Sequence, residues 1–280
     1  MKLAVSNIAW AAPESGLAYA LLKDSGVSGL EIAPALAFPD ESDPFAPSVE
    51  SVNAFRDVIT LHGLELVSMQ SLLFGTNGAQ LFGTAVERRR LEDAVERALV
   101  LANRLGIPNV VFGSPRNRVY PHYMSENEAV ELAGEIFVRI GLRADELGCV
   151  IAIEPNSRAY GTNFLTSVRS ALHFVERLAL PAIRLNFDIG TLLAENEASE
   201  IENLKESILA HTSHVHISEP QLAPAPAWPR QLASIAQPFL LGDYSGWFSI
   251  EMRRADENPL EVLRECISRA REGLATRARE

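Results

Sequence analysis

Eight short apolar runs punctuate the chain, and between most of them apolar positions recur with the 3.6-residue period of an amphipathic helix. The runs predict strands at residues 3–9, 29–33, 64–70, 109–112, 149–154, 182–188, 212–218 and 248–252. The periodic stretches predict helices at 13–25, 49–62, 86–105, 125–147, 162–178, 200–210, 231–241 and 259–274. Pro13 suits a first helical turn. Gly63, Gly106 and Gly148 stand where helices should stop. Ser125 and Glu128 have the spacing of a capping box. Residues 34–47, 71–84 and 220–229 read as Pro- or Gly-rich loops, and the Arg/Glu-rich tail is expected to fray.

One strand–helix–strand unit takes roughly 30 residues, and eight units close a barrel of about 250. The strands are mostly continuous apolar runs, as expected where helices cover the sheet. No Pro/Gly/Ser linker divides the chain, so the fold predicted is α/β, a single (β/α)8 TIM barrel forming one domain over residues 1–280. The rival is an open doubly wound sheet. No GxGxxG follows the first strand and no P-loop pattern is present, which weighs against it.

The chemistry gathers at the ends of the late strands. Strand runs end in carboxylates at Glu154 (VIAIEPN), Asp188 (IRLNFDIG) and Glu251 (WFSIEM), and TSHVHISEP carries His214 and His216 on one face with Ser218. From Glu154 to Asp188, His216 and Glu251 the steps are 34, 28 and 35 residues, about one repeat each. Each group therefore falls at the C-terminal end of a strand, where such barrels carry their active sites. Strand parity puts Val150, Ala152 and Glu154 on one face, then Asn186 with Asp188, His214 with His216, and Ser249 with Glu251. Inward carboxylates are costly to bury without a counter-charge. Their convergence predicts one divalent cation, and an oxygen-rich set with an imidazole suits Mn²⁺, Mg²⁺ or Co²⁺, with Zn²⁺ a further candidate.

Charge and composition narrow the partners. The 36 acidic and 25 basic residues give a formal charge of −11, which argues against non-specific nucleic-acid binding. No run of about 18 uncharged apolar residues occurs, so no membrane span is expected. The apolar part of MKLAVSNIAW is too short for a secretion signal, and two cysteines, Cys149 and Cys266, imply no disulfide framework; a cytoplasmic location is expected.

These motifs resemble the xylose-isomerase-like barrel superfamily, which includes sugar-phosphate isomerases and epimerases, inosose dehydratases, hydroxypyruvate isomerases and apurinic endonucleases. The resemblance also covers the opening strand, GLEIAP and VVFGSP, and so spans nearly the whole chain. Its ketose 3-epimerases hold one divalent metal with a Glu, an Asp, a His and a Glu, which places those roles on Glu154, Asp188, His216 and Glu251. Many members follow the Asp by a substrate-contacting His three residues later; here that position is Thr191, whose hydroxyl can hydrogen-bond but is no base near neutral pH. The endonuclease branch uses extra histidines that the ends of strands three and four (MQSLLFG, FGSPRNR) lack.

The resemblance implies a divalent-metal-dependent isomerase or epimerase acting on a sugar, a sugar phosphate or a related polyol through an enediolate, with Glu154 and Glu251 as the acid–base pair. A lyase or dehydratase using the same site and a non-catalytic sugar- or partner-binding barrel are the alternatives. Arg116 and Arg118 are candidates to hold a substrate phosphate or carboxylate. Asn156, Gln70, Thr191 and Arg253 are further candidate substrate contacts, Glu31 a weaker one, and Trp10 and Phe74 candidates for an apolar wall. The partner expected is a small-molecule carbohydrate, without nucleic acid or membrane; a homodimer is compatible with this reading.

Overall fold

The computed structural model describes residues 1–275; the tail expected to fray, at 276–280, lies outside them. The strands are β1 (Lys2–Ser6), β2 (Gly29–Ile32), β3 (Glu65–Met69), β4 (Asn109–Phe112), β5 (Val150–Ile153), β6 (Ile183–Asp188), β7 (Thr212–Ile217) and β8 (Trp247–Ile250). They pair in sequence order, all parallel, and β8 returns to β1, which closes a (β/α)8 barrel. The helices are α1 (Ser15–Asp24), α2 (Pro34–Ala37), α3 (Val49–Leu61), α4 (Ala85–Leu105), α5 (Glu126–Glu146), α6 (Val168–Leu178), α7 (Ile189–Ala194), α8 (Ile201–His211), α9 (Pro229–Leu241) and α10 (Pro259–Ala275). Among the described residues none is long and apolar enough to cross a membrane. Cys149 and Cys266 are buried and free.

The outward faces of the strands pack on the helices. Phe112 meets Phe137 of α5, and Phe187 meets Phe239 of α9, edge to face at 5.0 Å in each case. Inside the barrel the N-terminal end is plugged by Trp247, Ala4 and Val67. Gly29 is needed there, since a Cβ would lie 2.6 Å from the Trp247 ring. Further up, the interior becomes polar, with Ser6, Glu31, Ser68, Asn186, His214, His216 and Ser249 all buried. Two register shifts bend the wall, one between Leu30 and Glu31 and one between Leu185 and Asn186. Such bulges re-aim side chains next to sites.

Four elements differ from the sequence reading. The first strand stops at Ser6, because Asn7 turns away and its side-chain amide exchanges two hydrogen bonds with the Ala33 backbone. Helix α6 begins at Val168, not 162. Thr162 donates to the Arg118 carbonyl, and Asn163 bonds both backbone groups of Tyr120, so this segment is stitched to the loop after β4 instead of coiling. The single-turn helices α2 and α7 follow β2 and β6 without a periodic signature of their own.

Candidate metal centre and adjoining cavity

Glu154, Asp188, His216 and Glu251 converge at the C-terminal mouth of the barrel. All four are buried, and one donor atom from each lies within 4.8 Å of the others. His216 Nδ1 is 2.8 Å from Glu154 Oε1, 3.2 Å from Glu251 Oε2 and 4.0 Å from Asp188 Oδ2.

The supporting contacts run downward and outward. His216 Nε2 approaches Glu31 Oε2 at 3.0 Å. His214 Nε2 lies 3.0 Å from the same oxygen but outside hydrogen-bond geometry. Gln70 Nε2 donates to Glu31 Oε1 at 2.8 Å and to Ser6 Oγ at 2.7 Å. Glu31 thus turns His216, favouring the tautomer with Nε2–H bound to a carboxylate and an unprotonated Nδ1 facing the mouth, 3.1 Å from Asn186 Nδ2. Asn186 and Asn156 donate to the two oxygens of Glu154, at 2.9 and 2.8 Å. Ser218 donates to Asp188 Oδ2 at 2.5 Å, while Asp188 Oδ1 caps α7 by accepting from Thr191 N at 2.5 Å. Gly113, after β4, leaves room for Glu154, whose Oε2 would collide with a Cβ there.

The electrostatics follow from this crowding. Burial pushes the His216 imidazole toward neutrality, but Glu31, Glu251 and Glu154 together carry its pKa well above the usual range. Burial raises Glu251 to about 7, with His216 offsetting part of the rise and Glu154 and Asp188 adding to it. Asp188 is raised to about 6 by burial and by Glu154. Glu154 moves the other way, because His216, Asn156 and Arg118 outweigh its burial. Glu31 is held well below the carboxylate range, its burial overcome by the two histidines. The donor set fits a hard or borderline divalent cation: three carboxylates and one imidazole nitrogen, close enough to share one ion at about 2.0–2.6 Å, with no thiolate.

Beside the four lies a cavity of about 350 Å³, lined by Glu154, Asp188 and Glu251 together with Gln70, Asn156 and Thr191 from the sequence-predicted set. Gln70 commits its NH₂ to Ser6 and Glu31, which leaves its carbonyl oxygen for a ligand. The Thr191 hydroxyl donates to the Pro155 carbonyl at 3.0 Å. The three arginines lie elsewhere. Arg118 is fully buried behind Asn156 and donates to its Oδ1 at 2.8 Å; its Nε and Nη1 have no partner, and burial lowers its pKa to about 10. Arg116 and Arg253 are exposed and do not line the cavity. Phe74 lines it, whereas Trp10 is buried against Tyr19. Sequence reasoning gave no role to Ser218, Tyr160, Leu73, Leu222 or Glu219, all of which line the cavity. Only Ser218 carried a signal, as the next inward position after His216 on β7.

A parallel eight-stranded barrel with a carboxylate–imidazole cluster at its C-terminal mouth defines a class of (β/α)8 proteins with a candidate metal centre. Within that class, the family model for the xylose isomerase-like TIM barrel matches residues 19–272, and the chain belongs to that family. No curated protein matches it significantly. Among solved structures it is similar to a 3-keto-D-glucoside 4-epimerase from E. coli, with TM-score 0.72, 18% identity, and 96% of this chain and 98% of that one covered. It is also similar to a D-psicose 3-epimerase, with TM-score 0.77, 16% identity and coverage of 99% and 100%. An L-ribulose 3-epimerase gives TM-score 0.74, 16% identity and coverage of 98% and 95%. At such identities the likeness establishes the shared fold.

Proposed function

We propose that the protein is a divalent-metal-dependent isomerase or epimerase that moves a proton on the carbon beside a sugar carbonyl. The observation that carries this is the convergence of Glu154, Asp188, His216 and Glu251 on one point that opens into a cavity of monosaccharide size. When bound there, a divalent cation supplies Lewis acidity, which lowers the cost of removing a proton next to a carbonyl. Asp188 and His216 serve as ligands only, each fixed by partners beneath it: Ser218 and Thr191 for Asp188, Glu31 for His216. Glu154 and Glu251 flank His216 and form the acid–base pair.

The two glutamates differ. Both Glu154 oxygens accept hydrogen bonds from asparagines, which favours the ionised state. Among the described residues, the Glu251 carboxylate pairs only with His216, accepts from no asparagine and lines the cavity, which leaves it open to take or give a substrate proton. Asn156 and Gln70 line the cavity where substrate hydroxyls would lie.

Solvent deuterium exchange into ketoses tests this reading. The wild type is expected to wash deuterium into the carbon next to the carbonyl. Glu154→Gln and Glu251→Gln should each lower the rate by about 10²–10⁴-fold, with metal content measured in parallel. Exchange that persists in both variants while metal stays bound would remove the two glutamates from the proton path.

A further inference from the structure

The cavity wall carries four carboxylates, Glu154, Asp188, Glu251 and Glu219, and among the described residues no Lys, Arg or His lines it. One divalent cation would still leave it net negative. Leu73, Phe74, Pro115 and Leu222 add apolar surface to the lining. Such a surface offers a phosphate no cationic partner, only hydroxyls such as those of Ser71, Ser114 and Tyr160, which cannot offset its charge.

Among the described residues, none of the arginines near the mouth lines the cavity, the exposed Arg253 included. Arg118 is buried behind Asn156. Arg254 is paired with Glu14 through two contacts of 2.7 and 2.8 Å. Arg116 is exposed, although its neighbours Pro115 and Asn117 line the cavity. Several backbone donors of the loops after β5, β6 and β7 are also taken. Thr191 N–H goes to Asp188, Gly190 N–H to Ser218, Val168 N–H to Glu197 and Ala227 N–H to Glu219.

From this wall we infer that the site takes an uncharged, unphosphorylated monosaccharide or polyol and discriminates against its phosphate ester. The inference rests on the sugar reading above and sharpens it. Leu73, Phe74 and Leu222 would cover the C–H faces of the sugar, while Gln70 and Asn156 meet its hydroxyls.

The test compares matched pairs on the Mn²⁺-loaded protein: D-fructose with D-fructose 6-phosphate, D-ribulose with D-ribulose 5-phosphate, and D-xylulose with D-xylulose 5-phosphate. Binding is read by calorimetry and turnover by deuterium wash-in, with bound Mn²⁺ checked after each titration. In any pair that binds, the phosphate ester should be weaker by about tenfold or more, since like charges meet at the wall. Phe74→Arg places a cation on the exposed rim and should narrow that gap; Arg116→Ala should leave it unchanged. An ester that binds as tightly as its parent sugar overturns the inference and leaves the sugar reading standing, and loss of that binding in Arg116→Ala would identify the arginine that reaches in. If neither member of any pair binds while Mn²⁺ stays in place, the sugar reading fails and takes the inference with it.

Discussion

His216 joins two networks, with Nε2 against Glu31 inside the barrel and Nδ1 facing three carboxylates at the mouth. Glu31→Gln keeps the shape and an acceptor oxygen but removes the charge that fixes the ring. Partners of this kind typically cost 10–100-fold in metal affinity when changed. A fall of about that size in Mn²⁺ affinity is expected by titration, and unchanged affinity would show that Glu31 does not orient the ligand. Protonation adds a second expectation. The pKa values of Asp188, at about 6, and Glu251, at about 7, are raised, as is that of His216, so the metal-free protein holds protons that binding must expel. Mn²⁺ affinity should therefore rise between about pH 5 and pH 8, and with it the gain in melting temperature on adding Mn²⁺. In the metal-free fold the sign reverses. Each raised group contributes stability that is full below its unfolded pKa and is lost as pH rises through its folded value. A metal-induced gain that is flat or falls over this window would contradict the assignment.

Between elements, the strands set where the ligands start, and the segments just after them set where they point. Gly113 after β4 is the sharpest case, because a Cβ would displace the Glu154 carboxylate. Gly113→Ala should lower turnover by about 10²-fold, the scale of a 1 Å misplacement, and should weaken Mn²⁺ binding. The metal-free melting temperature should move far less, and a large drop there with Mn²⁺ affinity intact would mean that Gly113 serves the fold instead. This level divides what the sequence could and could not tell. Strand starts and parities were legible because an apolar run with period 2 fixes both, and Glu154, Asp188 and Glu251 follow from them. The start of α6 was not, because Thr162 and Asn163 bond a distant loop and leave no local signal. Arg116 and Arg118 looked alike two residues apart in FGSPRNR. Only the folding of their turn sends Arg118 into the interior behind Asn156 and leaves Arg116 exposed.

At the scale of the whole molecule, the barrel is plugged at its N-terminal end by Trp247 and becomes polar toward the mouth, so its buried charge is concentrated where the strands end. A core built this way needs a cation at that point, either a proton on His216 or a metal ion. The family match over residues 19–272 and the closed strand order agree on the framework that brings the four groups together. The most direct test of the central claim is anomalous scattering from crystals grown with Mn²⁺. The account predicts one peak, with Glu154, Asp188, His216 Nδ1 and Glu251 all at about 2.0–2.6 Å from it. No peak at the barrel mouth, or a peak that leaves any of the four beyond bonding distance, would contradict it.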